Sequence, residues 1–311
     1  MRVAVVGAGI IGAACARRLA LEGATVVVVD DEAGRAQATW ASAGLLLDGA
    51  GHEHPREWFA LAQRSIALWP EIAAACPDVT LRRTGVLLLG VAPEWIAWRE
   101  ENGYENRAVR WQGAPAVLFP EVMTIRPDLV AGALLDGIDV RSRHVEDLTG
   151  LRRQADLVIV AAGAWARPFL AEVGIDVDVA PRRGQMLLFD GGQLPHVLLS
   201  ADCEEVAVPR SDGRIVVGTT LEDVGFDAAT DSATIDRLEE WGRRMVPGLG
   251  RRLESWAGLR PWSDRPLPTV ARVADDVIVA AGHFRNGLLL APETAERVRD
   301  LAYAGAASPV R

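Results

Sequence analysis

The sequence contains no lysine: all 33 of its basic side chains, counting Lys and Arg together, are arginines. Without lysine, the chain can form no lysine Schiff base with pyridoxal phosphate, and it cannot build a P-loop with its phosphate-binding lysine. Any cation that it directs at a substrate is therefore an arginine or a protonated histidine. Arginine suits a planar carboxylate, because its forked guanidinium holds both oxygen atoms at once.

Cysteine, positive net charge and long apolar runs are also scarce or missing. Cys15, Cys76 and Cys203 are far apart and predict no disulfide framework, which favours a reducing, cytoplasmic setting. The net charge of −9 offers no basic surface for nucleic acid. No apolar stretch has the length of a membrane span, so we predict no membrane partner. His52 and His54 have no matching ligand set, which predicts a solvated loop and no metal site.

The first thirty residues follow the order strand, glycine turn, helix, strand, acid. An apolar run leads into the turn Gly7–Gly12 (GAGIIG), and a helical stretch and a second apolar run then end in Asp30. This order is typical of a unit that binds the ADP half of a dinucleotide. We expect Gly7 to permit the tight turn, Gly9 to let the backbone approach a pyrophosphate, and Gly12 to let the helix pack on the strand.

The start of the predicted helix offers free N–H groups and a partial positive charge to phosphates. Asp30 stands where a carboxylate accepts hydrogen bonds from ribose hydroxyls, which disfavours a 2′-phosphate. The fingerprint alone does not distinguish NAD from FAD, so an NAD-dependent dehydrogenase stays open at this point. Arg2 before an apolar run is also a feature of secretory signal peptides, but glycines interrupt this run.

The rest of the chain alternates between helical and strand-like segments, without an internal repeat or a low-complexity linker. Small residues over 39–44 allow backbone to approach a flat ligand closely. Residues 155–161 have the pattern of a buried strand in the same parallel sheet as the first strand. Because the elements alternate in type, we expect two interleaved domains. Further helices are predicted over residues 55–75, 93–102, 231–245 and 292–304, and further strands over 84–91, 183–189, 205–209, 214–218 and 277–281.

Six ordered segments resemble the glycine oxidase and D-amino-acid oxidase group of FAD-dependent amine oxidases. The last segment, with the sequence GHFRNGLLLAP, is the most specific and is most similar to glycine oxidases. The six segments are Gly7 to Gly12, Thr39 to Leu46, Ala161 to Trp165, Val208 to Arg210 with Asp212 to Thr220, Gly258 to Pro261, and Gly282 to Pro292.

The resemblance implies an α/β fold that binds FAD non-covalently. It implies a Rossmann-like FAD-binding domain over residues 1–50, 131–174 and 264–311, and an α+β substrate domain with an antiparallel sheet over residues 51–130 and 175–263. A helix N-terminus near residues 282–288 would stabilise negative charge on the flavin. The expected cofactor-binding residues are Gly7, Gly9, Ile10, Ile11, Gly12, Asp30, Asp31, Thr39, Ser42, Ala43, Gly44, Leu45, Val145, Ala162, Gly163, Trp165, Gly282, His283, Arg285, Asn286, Gly287 and Leu288.

The resemblance also assigns catalytic roles to two arginines. Arg260 corresponds to the arginine that binds the substrate carboxylate, and Arg285 to a second arginine near the substrate; a structural salt bridge is the alternative for each. His283 is expected to order its turn, with a general base as the alternative. The implied reaction is hydride transfer from a small amino acid to flavin N5, followed by hydrolysis to a 2-oxo acid and ammonia. Dioxygen is the acceptor and yields hydrogen peroxide.

The expected substrate pocket is walled by Leu45, Val206 and Leu221. Val206 stands where the family usually has a tyrosine that helps to hold the carboxylate, and Arg285 is the candidate to compensate. Residues 131–150 show no convincing helix where relatives have another strand and crossover helix, so we expect a shortened FAD domain.

The apolar walls fit glycine, sarcosine or a small D-amino acid equally well, although the absence of lysine disfavours a monomeric sarcosine oxidase. For glycine, the resemblance implies a role in making the thiazole of thiamine. A broader D-amino-acid oxidase and a flavin-binding protein without turnover are the alternatives. The number of subunits is open, and a homo-oligomer is one of the options.

Overall fold

The structure, a computed structural model, describes residues 1–31, 37–48, 55–90, 93–176 and 178–304, so His52 and His54 lie outside the described residues. The strands are β1 (Arg2–Val6), β2 (Thr25–Asp30), β3 (Leu45–Leu46), β4 (Arg82–Arg83), β5 (Val86–Leu89), β6 (Arg107–Trp111), β7 (Ala114–Phe119), β8 (Met123–Thr124), β9 (Asp139–Ser142), β10 (Leu157–Val160), β11 (Val179–Phe189), β12 (Val197–Leu199), β13 (Val206–Pro209), β14 (Ile215–Gly218), β15 (Arg252–Ser263), β16 (Thr269–Ala274) and β17 (Val277–Ala281). The helices are α1 (Ile10–Leu21), α2 (Ala38–Ala41), α3 (Arg56–Ala74), α4 (Pro93–Glu101), α5 (Pro127–Leu134), α6 (Thr149–Arg152), α7 (Arg167–Glu172), α8 (Ser232–Met245) and α9 (Gly287–Tyr303).

Valine-rich strands form a parallel sheet with the order β16-β17-β10-β1-β2-β9, in which β16 runs antiparallel to β17. Both faces of its central strands are covered. Val3 and Val5 point into a core shared with α1, α3 and α9, whereas Ala4 and Val6 point into a second core with α6 and α7. Because both faces of these strands are buried, the side chains on both faces are apolar, and the strands are continuous apolar runs. The sheet confirms the predicted Rossmann-like fold.

The edge strand β9 was missing from the predicted strands. It pairs in parallel with β2, and all of its residues are exposed, so it has no apolar pattern that could have revealed it. Asp139 and Arg141 form an ion pair on it, and charged side chains are typical of protected sheet edges. The helix that follows β9 is the four-residue α6. The prediction of a shortened FAD domain therefore rests on this short crossover helix and not on a missing strand.

The second sheet has the strand order β15-β11-β14-β13-β12-β5-β7-β6 and is antiparallel except between β12 and β5. Its longest pairing joins β11 to β15, with Gly184 opposite Gly258 and Arg182 opposite Arg260. Residues 258–261, one of the segments that carry the family resemblance, lie within β15. An edge position lets this strand continue through Pro261, which has no N–H to donate.

Most predicted helices are confirmed within a few residues. Asp231 caps α8 by accepting a hydrogen bond from the Thr234 N–H at 2.9 Å. The last helix begins at Gly287, earlier than predicted, and Pro292 lies inside it. In the described part of the chain, no helix is both long enough and apolar enough to cross a membrane.

Candidate active site

A cavity of about 900 Å³ connects the two sheets. One end is formed by Val6, Val29 and Ala281, at the carboxyl ends of parallel strands, where doubly wound sheets bind ligands. The other end is formed by Met186 of β11 and Arg260 of β15. A ligand that fills this cavity therefore touches both halves of the fold.

The glycine turn makes the first end of the cavity. Gly7 has φ +106°, and a Cβ on it would lie 2.4 Å from the Ala161 carbonyl oxygen. A Cβ on Gly12 would lie 1.9 Å from the Gly7 oxygen. Both positions therefore require glycine, and the close approach brings the start of α1 to the cavity, where the Ile10 N–H donates to Thr39 Oγ1 at 2.9 Å.

Asp30 lies at the edge of this turn. Its Oδ2 accepts a hydrogen bond from the Ala8 N–H at 2.7 Å, and its Oδ1 accepts one from Gln37 Nε2 at 2.9 Å. The carboxylate thus holds the turn while it lines the cavity. Asp31 also lines the cavity, and its Oδ2 lies 3.1 Å from His144 Nδ1.

Arg260 lies at the opposite end, with its guanidinium in the space above Gly184. A Cβ on Gly184 would come within 2.2 Å of Arg260 Nη2. Arg260 Nη1 donates to the Thr220 carbonyl oxygen at 2.8 Å, and Nη2 donates to Thr219 Oγ1 at 2.6 Å. Two neutral acceptors therefore fix its direction without neutralising its charge.

No salt bridge joins Arg260 to an acidic side chain within the described ranges, so the alternative of a structural ion pair is wrong there. Burial, and to a lesser extent the nearby charge of Arg285, lowers the pKa of Arg260 to about 10. The group remains protonated at neutral pH. A cation held by neutral partners beside a cavity is suited to bind an anion.

Arg285 lies in a turn of 3₁₀ helix (Phe284–Asn286) and is exposed. Its Nη2 donates to the Cys203 carbonyl oxygen at 2.7 Å. Because its charge contributes to lowering the pKa of Arg260, the two arginines act on the same end of the cavity. Arg285 therefore adds positive charge at the exposed side, and Arg260 adds it inside.

The remaining predicted residues fall into three groups. Gly12 and Gly44 lie behind the cavity wall, where Gly44, with φ +84°, would place a Cβ 2.0 Å from the Ile125 oxygen. Leu221 was wrongly predicted to wall the pocket: its side chain is 54% exposed and is absent from the cavity lining. All the other predicted residues line the cavity; they are Gly7, Gly9, Ile10, Ile11, Asp30, Asp31, Thr39, Ser42, Ala43, Leu45, Val145, Ala162, Gly163, Trp165, Val206, Arg260, Gly282, His283, Arg285, Asn286, Gly287 and Leu288.

Leu221 points to solvent because its neighbours point inward. Thr220 Oγ1 accepts a hydrogen bond from the Gln185 N–H, and Glu222 pairs with Arg183. In an extended segment, alternate side chains face opposite sides, so the residue between Thr220 and Glu222 faces outward.

The features of the cavity suit an extended dinucleotide. It has a turn that only glycine can form, a helix N-terminus for phosphates, a carboxylate for a ribose, and a second end with a directed cation. The family model described as "DAO: FAD dependent oxidoreductase" matches residues 2–301. The chain belongs to this FAD-dependent oxidoreductase family. FAD is accordingly its cofactor, and the alternative of an NAD-dependent dehydrogenase is wrong.

Several proteins similar to this oxidoreductase are called glycine oxidases. One from Pseudomonas aeruginosa is 31% identical, over 96% of this chain and 94% of the relative. The bifunctional protein ThiO/ThiG of Nostoc sp. is 28% identical over 96% of this chain and 52% of its own length. A solved glycine oxidase from Bacillus cereus superposes with a TM-score of 0.87 at 21% identity, over 98% of both chains. Iminodiacetate oxidase from Chelativorans sp. superposes with a TM-score of 0.85 at 22% identity, over 99% of this chain and 97% of the other.

Some residues around the cavity of this oxidoreductase were missed by the sequence analysis. They include Gln37, Met186, Thr219 and Phe226. Thr219 could have been found, because it lies in one of the segments that carry the family resemblance. The others reach the cavity only through tertiary contacts, such as the hydrogen bond from Gln37 to Asp30.

His283 is a buried residue of the cavity wall and contacts α9. Its Nε2 lies 3.0 Å from Thr294 Oγ1. Burial lowers the pKa of His283 to about 3, so the imidazole is neutral at physiological pH. This contact supports the expected role in ordering the turn at residues 282–287.

We expect His283→Gln to reduce the acid sensitivity of folding. An unfolded histidine takes up a proton below a pKa of about 6.5, but the folded one does so only near 3, so stability is lost as pH falls between these values. At pH 5 the loss from this residue is on the order of 2 kcal/mol. Urea unfolding at pH 7.5 and pH 5 measures it. A variant that loses as much stability as the wild type would contradict this assignment.

Proposed function

We propose that this FAD-dependent oxidoreductase oxidises glycine and other small amino acids, with dioxygen as the electron acceptor. The observation that carries the proposal is the half-buried Arg260 guanidinium, which lines the cavity and is bound by two neutral oxygens. A substrate carboxylate supplies the missing negative charge. The similarity to glycine oxidases supports the choice of an amino acid as substrate.

Each group at this end has a definable task. Arg260 binds and orients the carboxylate, while the apolar side chains of Leu45, Met186 and Val206 exclude water around the α-carbon. Bound FAD supplies the redox chemistry by accepting a hydride from the substrate and passing two electrons to dioxygen. Gly287 and Leu288 begin α9 and line the cavity, so the positive end of this helix stabilises negative charge there.

Val206 makes glycine binding depend on the arginines. It is 6% exposed and brings no hydroxyl to the cavity, so a carboxylate at Arg260 gains no hydrogen bond from this position. A hydrogen bond to a charged group contributes about 1.5–3 kcal/mol. We propose that Arg285, from the exposed side, makes up part of this difference.

The proposed role of the product follows from the sequence resemblance. Oxidation of glycine gives an imine, and we propose that this imine serves the formation of the thiamine thiazole. The similarity to a protein named ThiO/ThiG supports this role. A cytoplasmic location is proposed as well, and it is supported by the low cysteine content of the chain.

The cofactor and substrate sites are proposed to lie in separate domains with the boundaries given above. The strands of the six-stranded sheet all fall within residues 1–50, 131–174 and 264–311. Those of the eight-stranded sheet fall within residues 51–130 and 175–263. This separation supports the proposed division.

A substrate panel tests the proposed function. FAD-loaded protein is mixed separately with glycine, sarcosine, D-alanine and L-alanine, and hydrogen peroxide, ammonia and oxygen consumption are measured. We expect equal amounts of peroxide and ammonia from glycine, and none from L-alanine. Absence of peroxide with every amino acid, in protein that retains its FAD, would contradict the proposal and favour a binding protein without turnover.

A further inference from the structure

The loop between β14 and α8, residues 219–231, places an aromatic ring on the cavity. Leu221, Val224 and Phe226 are its exposed apolar side chains, in a segment otherwise rich in acidic residues. Leu221 and Phe226 are equally exposed, at 54% each. Only Phe226 of these three lines the cavity, so part of this side chain borders the space that a ligand occupies.

Phe226 contacts the opposite wall through Trp165. The two ring centroids are 5.5 Å apart, with 34° between the ring planes. Trp165 ends the turn of 3₁₀ helix (Gly163–Trp165) that follows β10, and the nearby Ala161 oxygen touches the glycine turn at Gly7. A residue of the second sheet's loop thus reaches the dinucleotide end of the first sheet.

The guanidinium of Arg183 fixes both sides of this loop. It is buried and forms ion pairs with Glu222 before Phe226 and with Asp227 after it. Arg183 Nη1 also donates to the Ala229 carbonyl oxygen at 2.8 Å. Because both sides of the short segment are fixed by one cation on β11, Phe226 has little freedom to move away from the cavity.

Gly225 gives the loop its direction just before the ring. It has φ +63°, and nothing lies within 4 Å of the position of a Cβ. Glycine is therefore needed here for its backbone conformation rather than for space. The resulting turn directs the next side chain across the cavity toward Trp165.

We propose that Phe226 closes the cavity over bound FAD beside Trp165 and slows the release of the cofactor. The exposed part of the ring becomes buried against FAD, and the contact with Trp165 holds the ring in place. This role goes beyond the proposed function because it concerns retention of FAD, whichever amino acid is oxidised. Phe226 is in this sense a cofactor-binding residue supplied by the second sheet.

The test is the rate of FAD release from the holoenzyme. Purified holoprotein is diluted, and the rise in fluorescence of free FAD gives the dissociation rate; titration of apoprotein with FAD gives Kd. We expect Phe226→Ala to raise both by about 10-fold, because the apolar contact is lost. The matched control is Leu221→Ala, which removes an equally exposed side chain of the same loop outside the cavity and should leave both within about 2-fold.

A second variant tests the anchoring by Arg183. Asp227→Asn removes one ion pair with Arg183 and keeps the ring, so we expect a rise of about 3-fold in the dissociation rate. The double variant should release FAD no faster than Phe226→Ala alone, since both changes act through the same ring. Circular dichroism and thermal unfolding of the apoproteins show whether each variant folds.

An unchanged FAD dissociation rate in folded Phe226→Ala would overturn the proposal. So would an equal acceleration by Leu221→Ala, because the effect would then belong to the loop in general. A raised KM for glycine with unchanged FAD release would place Phe226 at the substrate instead. The two outcomes read from FAD release do not depend on which amino acid the protein oxidises, so failure of the proposed function is seen separately in the substrate panel.

Discussion

Arg260→Met should lower kcat/KM for glycine by two to three orders of magnitude, mainly through a higher KM. Methionine replaces the apolar stem of the side chain but removes both charge-assisted hydrogen bonds to the carboxylate. Their loss costs about 3–4 kcal/mol, and every 1.4 kcal/mol is about tenfold. Steady-state measurements of peroxide formation against glycine concentration give KM and kcat, and FAD absorbance confirms that the cofactor is retained.

The control for Arg260 lies on the same strand. Arg252 begins β15, is exposed, and pairs with Glu239 at 2.9 Å away from the cavity. Arg252→Met should leave both kinetic constants unchanged. Arg260→Lys should be intermediate, because it keeps the charge and loses the fork. If Arg260→Met folds, holds FAD and keeps the wild-type KM, the carboxylate binds elsewhere.

The second large effect is expected from Gly12→Ala. We expect this variant to be purified without bound FAD. The new Cβ would lie 1.9 Å from the Gly7 carbonyl oxygen and 3.0 Å from its carbon, both of them backbone atoms. Relief of this clash moves α1 away from the glycine turn. Because the helix start and the turn together form the phosphate site, we expect FAD affinity to fall by more than about 100-fold. The ratio of flavin to protein absorbance after purification measures it.

Gly132→Ala provides the matched substitution in another helix. Gly132 lies in α5, and nothing is within 4 Å of the position of its Cβ. Alanine in an exposed helix interior is favoured over glycine by about 0.5–1 kcal/mol, so this variant should bind FAD normally and unfold at a slightly higher temperature. A Gly12→Ala protein with a full complement of FAD would show that the turn tolerates the displacement.

The sequence predicted the end of the cavity at the glycine turn better than the end at Arg260. Glycines that are required by contacts within one strand–turn–helix unit, such as Gly7 and Gly12, form a short and recognisable pattern. Arg260 was identified through a family resemblance, but its place inside β15 was not, because an edge strand can contain a proline that normally indicates its end.

Other errors have equally specific causes. β9 was missed because its residues are all exposed, so no apolar alternation indicates a strand. Leu221 was assigned to the pocket from its apolar type, whereas the inward contacts of its two neighbours decide its direction. Phe226 had no signal in the sequence, since its contact with Trp165 joins two residues far apart in the chain.

The guanidinium of Arg260 occupies the volume that a side chain at position 184 would need. Any residue with a Cβ at 184 would therefore displace the guanidinium, so glycine at 184 is a condition for Arg260 to keep this place. A homologous sequence with arginine at 260 but a larger residue at 184 cannot hold its cation in this place. The identity of residue 184 is thus a simple criterion for separating homologues that can grip a carboxylate in this way from those that must do so differently.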